Sequence, residues 1–455
     1  MQPSDQPSES AERGGAHPAQ ESEPDTREQA QLDLILEAYG DTVSVGPSNW
    51  HEVGVRFIYR RNTVLVRDEY LSRIGDFLVQ RLGPWERPGP TDRDAQAEDA
   101  RGQRPPAQQA IEPPEEARNA VVQGVTRLTL PGRGETDSLT VMDWVRDKYG
   151  SGVCTVDHLV HIAPPPLGTC PAAEPIPVPL GSAPDPGYTP DRGAGEGVRV
   201  VVIDTGLDPD SPGRHPWMNG VTGDDDPKIT PGGLLPYAGH GTFAAGVIRS
   251  VAPRAEVIVR SFFNRVGATF ESQLIASLDD VLREDAPDII SMSAGSYAQD
   301  STGLLAFEVF NETRLRHHKG VALVVAAGND STRRQFWPGA SPFTVSVGAL
   351  DTYRRGRAGF SNFGGWVDVY APGQDLVNAY PAGVYTYQEP PNVGRQETFY
   401  GMARWSGTSF STPVVSGLIA ARMSRTGENG RDAAAALLAA ARDAAHPGVG
   451  AVLLP

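Results

Sequence analysis

From Gly197 onward the chain carries short, continuously apolar runs separated by stretches of helical periodicity. This pattern limits the fold more than any other feature. The runs are Val198–Ile203, Glu256–Arg260, Ile289–Met292, Val321–Ala326 and Thr344–Val347. Apolarity without alternation suits strands covered on both faces, as in a parallel sheet. The segments between them, His240–Val251, Phe270–Arg283 and Leu304–Lys319, read as helices. The expected class is therefore α/β, a doubly wound and mostly parallel sheet. Sites in such sheets lie at the carboxyl ends of the strands, so residues there are the candidates for chemistry.

Four such positions stand out. Asp204 ends the run Val201-Val202-Ile203. His240 lies between Gly239 and Gly241, at the start of the apolar helix that continues Phe243-Ala244-Ala245. Asn329 follows Val324-Val325-Ala326-Ala327-Gly328. Ser409 lies in Gly407-Thr408-Ser409-Phe410-Ser411-Thr412-Pro413, ahead of the apolar run Val414–Ala421. Pro413 is expected in the first turn of a helix, where a missing N–H costs nothing. Ser409 would then sit among unpaired N–H groups at the positive end of the helix dipole, which suits a developing oxyanion. Each residue alone has an ordinary reading: a turn aspartate, a helix-start histidine, a turn asparagine, a serine cap. Together they supply a nucleophile, a base, a carboxylate to hold the imidazole tautomer, and an amide for the oxyanion.

These stretches resemble the subtilisin family of serine proteases. Val-Ile-Asp-Thr-Gly-Leu-Asp, Gly-His-Gly-Thr, Ala-Ala-Gly-Asn and Gly-Thr-Ser-Phe-Ser-Thr-Pro all occur, in the order Asp, His, Ser, across roughly 197–421. The resemblance implies a subtilisin-like fold, with Asp204, His240 and Ser409 as a triad and Asn329 as an oxyanion donor. It also implies that Ser293, Ala294 and Gly295 form a substrate-binding strand. Ala326, Ala327 and Gly328 would be the facing wall of the pocket for the residue before the scissile bond. The implied partner is a protein or peptide substrate bound in extended form, without a cofactor. Phe243 and Val414 stand where the family often has histidines, and Ala382–Arg404 is read as an enlarged loop over the site.

The remaining sequence is a different kind of chain. Residues 1–30 read as a disordered acidic tail. Residues 31–163 read as a small α+β unit. In it, Val53–Ile58 and Thr63–Val66 are expected as a hairpin turning at Arg60-Arg61-Asn62. A helix capped by Asp68 follows, with Leu71, Ile74, Phe77, Leu78 and Leu82 on its apolar side. Strands are expected at Val125–Leu130 and Val153–Ile162, and a helix over Ser138–Tyr149. Residues 84–118 read as a Pro- and Gln-rich insertion and 164–196 as a linker. The peptidase-like part, 197–455, closes with an Ala-rich helix over Asp432–Ala445. Subtilisin relatives often carry an α+β propeptide, so the N-terminal unit is expected to be an intramolecular inhibitor or a docking module.

A formal charge of −16 argues against nucleic acid, which needs a basic face. No run approaches the roughly 18 apolar residues of a membrane span, and no signal peptide is read, so a cytoplasmic location is expected. The two cysteines, Cys154 and Cys170, are expected as free thiols. Asp224-Asp225-Asp226 is read as a solvated triplet rather than a metal site. The leading expectation is a serine endopeptidase, either a dedicated processing enzyme or a general degrader. The alternatives are a catalytically silent scaffold on a protease fold, and an esterase or transpeptidase using the same acyl-enzyme.

Overall fold

The structure, a computed structural model, describes residues 26–46, 57–83, 85, 118–131, 136–162, 172–263, 266–299 and 303–455. The N-terminal unit begins with helix α1 (Thr26–Tyr39) and strands β1 (Val43–Val45) and β2 (Ile58–Arg67). Helix α2 (Leu71–Leu82), strands β3 (Arg118–Val122) and β4 (Val125–Thr129), helix α3 (Ser138–Tyr149) and strand β5 (Cys154–His161) complete it. Pairing β5-β2-β4-β3 is antiparallel throughout, with β1 on β2.

Several expectations are corrected here. Helix α1 starts inside the segment read as a disordered tail; residues 1–25 lie outside the described residues. Arg60-Arg61-Asn62 is not a hairpin turn, because β2 runs straight through it. Asn62 takes a φ of +52°, and the register against β5 shifts between Tyr59 and Val64. The three polar residues thus make an irregularity within one strand. Asp68 does not cap α2. Its carboxylate accepts from the Gly124 N–H at 3.0 Å and the Thr126 hydroxyl at 2.8 Å, tying the helix start to the β3–β4 turn. Most of the Pro-rich insertion, Cys170 and the start of the linker lie outside the described residues.

The second half opens with the short strand β6 (Ile176–Pro177), then β7 (Arg199–Asp204) and the two-residue strands β8 (Thr222–Gly223), β9 (Ile229–Thr230) and β10 (Gly233–Leu234). Helix α4 (His240–Val251), strands β11 (Glu256–Ser261) and β12 (Ala268–Phe270) and helix α5 (Glu271–Glu284) follow. Next come β13 (Ile289–Met292), α6 (Leu305–Thr313), β14 (Ala322–Ala326), β15 (Val345–Leu350) and β16 (Val369–Pro372). Helix α6 stops at Thr313, short of the expected Lys319, and a 3-10 turn over Leu315–His317 completes the segment.

The central sheet has the order β16-β15-β14-β13-β7-β11-β8, and every pair in it is parallel. All residues of β13, β14 and β15 are buried, Ser291 and Ser346 among them, as strands covered on both faces require.

The stretch read as a loop over the site is an ordered hairpin. Its arms are β17 (Leu376–Thr386) and β18 (Gln396–Trp405), paired antiparallel. Helix α7 (Thr408–Thr426) leaves β18 directly, and α8 (Gly430–Asp443) ends the helical series, its first turn capped by the Asn429 side chain. Among the described residues no helix is long and apolar enough to cross a membrane.

Candidate active site

The strands β14, β13 and β7 are neighbours in the parallel sheet, so their carboxyl ends open on one crevice. Asp204 ends β7, Ser293–Gly295 follow β13, and Asn329 follows β14. His240 is the first residue of α4 and Ser409 the second residue of α7. The fold therefore brings every expected site residue to one side of the sheet.

His240 Nδ1 lies 2.7 Å from Asp204 Oδ1 and 2.9 Å from Oδ2, and both side chains are fully buried. The imidazole is wedged between rings, with centroids 5.4 Å from Trp405 and 5.1 Å from Phe410. Its Nε2 has no hydrogen-bond partner among the described residues. An imidazole held by Nδ1 and confined by aromatic walls presents Nε2 in one direction.

Asp204 is buttressed from behind. Its Oδ1 accepts from the Thr205 N–H at 2.7 Å. The Thr205 hydroxyl donates to Asp226, which also accepts the N–H of Gly239 at 2.8 Å and of Lys228 at 2.9 Å. Asp226 is therefore no solvated member of an acidic triplet. It is 3% exposed, and burial raises its pKa while Lys228 and these donors oppose the rise. One carboxylate thus joins the turn after β7 to the start of α4, fixing Asp204 against His240. Gly239 takes a φ of +75°, and a Cβ there would sit 2.2 Å from Pro381 Cδ, so the entry to α4 requires glycine.

Pro413 lies inside α7, not in its first turn. Having no N–H, it cannot bond the carbonyl four residues back, which belongs to Ser409. The Ser293 hydroxyl donates to that carbonyl at 2.8 Å. The expected substrate strand is thereby tied to the nucleophile candidate. The opposite wall is tied as well. The Gly328 N–H donates to the Thr408 hydroxyl at 3.1 Å, and the Thr408 N–H donates to Asn329 Oδ1 at 2.8 Å. Asn362 holds the turn itself, donating to the Ala327 carbonyl at 2.8 Å and accepting from the Asp330 N–H at 2.9 Å. Gly328 has a φ of +91°, and a Cβ there would lie 2.6 Å from Asn362 Nδ2. Ala294, Ala326 and Ala327 are buried in these walls.

The protein's own chain pairs along the Ser293–Gly295 wall. Strand β5 pairs antiparallel with β12, His161 opposite Ala268 and Leu159 opposite Phe270. Its end then pairs with the Ser293–Gly295 wall: the His161 N–H donates to the Gly295 carbonyl at 3.0 Å, and the Gly295 N–H returns a bond at 3.1 Å. The Ile162 N–H donates to the Gly267 carbonyl at 2.9 Å. Residues Leu159–Ile162 therefore form an extended strand between β12 and the Ser293–Gly295 wall. Burial pushes the His161 imidazole down to about 3. On the far side, the Ala172 N–H donates to the Ser406 carbonyl at 2.9 Å, and β6 pairs with β18. The Glu174 carboxylate anchors this arm on the hairpin, accepting from Tyr385 Oη at 2.9 Å and the Gln388 N–H at 2.8 Å.

The rest of the N-terminal unit grips helices α5 and α6. Leu65, Val122, Val125 and Val160 share one apolar cluster with Leu274, Leu278, Leu305 and Phe310. Buried Asp157 accepts the Ser272 N–H at 3.0 Å, closing the start of α5. Glu271 faces His158 Nδ1 at 3.1 Å and accepts the Ala306 N–H, in the first turn of α6. Cys154 is buried in the N-terminal unit and its thiol is pushed up to about 12, so it is a poor nucleophile. No group of three or more metal-ligating side chains occurs among the described residues.

Sequence reasoning missed Asp226, Trp405 and the strand paired with the Ser293–Gly295 wall. Nothing in Asp224-Asp225-Asp226 marks the third carboxylate as the buried one, and pairing of His161 with Gly295 is a contact between distant parts of the chain.

A parallel, doubly wound sheet with an Asp–His pair and a helix carrying Ser409 in its first turn at its carboxyl edge defines a subtilisin-like α/β protein. The subtilase family pattern matches residues 195–451, and the chain belongs to that family. It is 33% identical over 245 residues to a subtilisin-like protease of Coccidioides posadasii, a match covering 51% of this chain and 53% of that one. It is 32% identical over 245 residues to an intracellular serine protease of Paenibacillus polymyxa, covering 50% and 66%. The chain spans about half the length of most of the curated relatives it matches. Among solved structures, a cold adapted subtilisin-like serine proteinase is 24% identical with a TM-score of 0.44, covering 61% of this chain and 94% of that one.

Proposed function

We propose that the chain is a serine endopeptidase whose N-terminal unit is an intramolecular inhibitor. The observation that carries this reading is the extended strand Leu159–Ile162, hydrogen-bonded on one edge to β12 and Gly267 and on the other to Gly295, in the strand tied to Ser409 through Ser293. A groove that pairs with backbone on both edges is a peptide-binding groove by β-addition. In the reaction, Ser409 Oγ attacks the substrate carbonyl as His240 Nε2 takes its proton. Asp204 accepts from Nδ1–H, keeps the imidazole in the right tautomer and stabilises the imidazolium. With Asn329 Oδ1 committed to Thr408, the amide offers its donor end to the oxyanion, beside the N–H of Ser409. His240 then passes the proton to the leaving amine, and water cleaves the acyl-enzyme by the same route.

The relative from Paenibacillus polymyxa is named as an intracellular protease, which supports action in the cytoplasm. The ordered hairpin, which sets Trp405 against His240, and the attached N-terminal unit favour a dedicated processing enzyme over a general degrader.

The test is intact mass spectrometry after incubation with a fluorophosphonate. Wild type is expected to gain one adduct and Ser409→Ala none. Loss of the N-terminal unit in wild type alone would mark it as a self-removed propeptide. No adduct on a wild type that has shed the unit would instead leave a silent scaffold. Asn329→Ala is expected to lower turnover on the order of a hundredfold or more with little change in KM. Steady-state kinetics on a peptide checks this, and an unchanged turnover would remove Asn329 from the oxyanion site.

A further inference from the structure

Gly295 and Gly328 face each other across the space beside the nucleophile, and each is tied to it, through Ser293 and Thr408. Two glycines in such walls would ordinarily leave a deep slot. Here one aromatic ring stands between them. A Cβ on Gly295 would lie 2.4 Å from Phe336 Cε1, and one on Gly328 would lie 3.2 Å from Phe336 Cδ1. Both glycines thus leave room for the Phe336 ring.

The ring cannot readily leave. Its neighbour Trp337 exchanges two backbone hydrogen bonds with Ser296, at 2.8 and 2.9 Å, which ties the segment to the end of the Ser293–Gly295 wall. The Ala340 N–H donates to the Phe336 carbonyl at 2.9 Å. Tyr297 packs edge-on against the ring at 5.3 Å between centroids, and is itself held by Asn362 and Asp330. The ring is 1% exposed, in an apolar cluster that also holds Phe57, Leu139, Met142 and Val156 of the N-terminal unit.

We infer that Phe336 floors the pocket for the side chain preceding the scissile bond and limits it to glycine, alanine or serine. This rests on the peptidase reading. A closely packed ring does not yield to a larger side chain without off-rotamer shifts or backbone movement. A single methylene in such a pocket is worth roughly 10–200-fold in discrimination.

The experiment uses the full chain and a series of peptides identical except for Gly, Ala, Ser, Leu or Phe before the scissile bond. Wild type is expected to cut after Ala at least tenfold faster, in kcat/KM, than after Leu or Phe. Phe336→Ala is expected to reverse that order by at least tenfold, with Phe336→Leu intermediate. Equal rates after Ala and Phe in wild type overturn the inference, and that comparison needs no folded variant. A reversal absent from a Phe336→Ala chain that melts at the wild-type temperature also overturns it. Hydrolysis of none of the peptides, even in Asp157→Ala chains whose N-terminal unit is loosened, overturns the peptidase reading itself.

Discussion

Ser409→Ala is expected to reduce peptide turnover by about a millionfold, and Asp204→Asn by about ten-thousandfold, with the fold intact in both. The serine result follows from losing the bond-forming atom. The aspartate result is more informative, because the exchange keeps the volume of the side chain. Asp204 accepts at His240 Nδ1 with both oxygens, at 2.7 and 2.9 Å. An asparagine there offers a donor as well, which lets the imidazole carry its proton on Nε2. That tautomer cannot receive the Ser409 proton. The charge that stabilises the imidazolium is lost at the same time. Single-turnover kinetics and a thermal melt on each variant check the claim. An Asp204→Asn chain within tenfold of wild type would show that the Nδ1 contact only packs the helix start.

Acid is expected to loosen the N-terminal unit from the crevice by about a hundredfold between neutral pH and pH 4.5, through His161. The sign follows from burial. The imidazole is held down to about 3 when docked, against an ordinary 6.5. The undocked chain therefore binds the proton more readily. Below 6.5 this histidine opposes docking, by roughly 1.4 kcal/mol for each pH unit, until the docked value is reached. At pH 4.5, two units below the ordinary value, the factor is about a hundredfold.

Glu271, on the helix facing β5, acts in the opposite sense. Burial raises its pKa, while His158 and the Ala306 N–H oppose the rise. Its carboxylate is penalised at neutral pH and relieved as the pH falls. The two are separated by His161→Phe, which keeps the backbone bonds to Gly295 and removes the titration. Hydrogen exchange of the amides at positions 161 and 295 in a Ser409→Ala chain reads the outcome. Parallel pH profiles with and without the His161→Phe exchange would remove the histidine from this role.

What the sequence disclosed and what it concealed divide along the range of the interactions. Helix His240–Val251 and strand Ile289–Met292 are legible to the residue, because unbroken apolar runs and helical spacing are local signals. Asp204, His240, Asn329 and Ser409 are read from the sequence as one set, and each lies at the end of a strand, just past one, or at the start of a helix. Where polarity and conformation part company, the reading failed. Arg60-Arg61-Asn62 looks like a turn but sits in one strand that bends through a register shift. Helix α1 and the hairpin β17–β18 depend on partners far along the chain: Gln31 donates to Glu389 at 2.6 Å. Phe336 has no signature at all, because only its placement between two glycines gives it a consequence.

Strand β5 is an interior strand rather than an edge only because β12, from the other half of the chain, lies beside it. Of its eight residues only Thr155 is not buried. Parted from its host, that unit would expose a bare row of amide groups flanked by apolar side chains, and such rows recruit further strands. Release of the unit would then be opposed by the pull of that bare edge toward its host or toward a second copy.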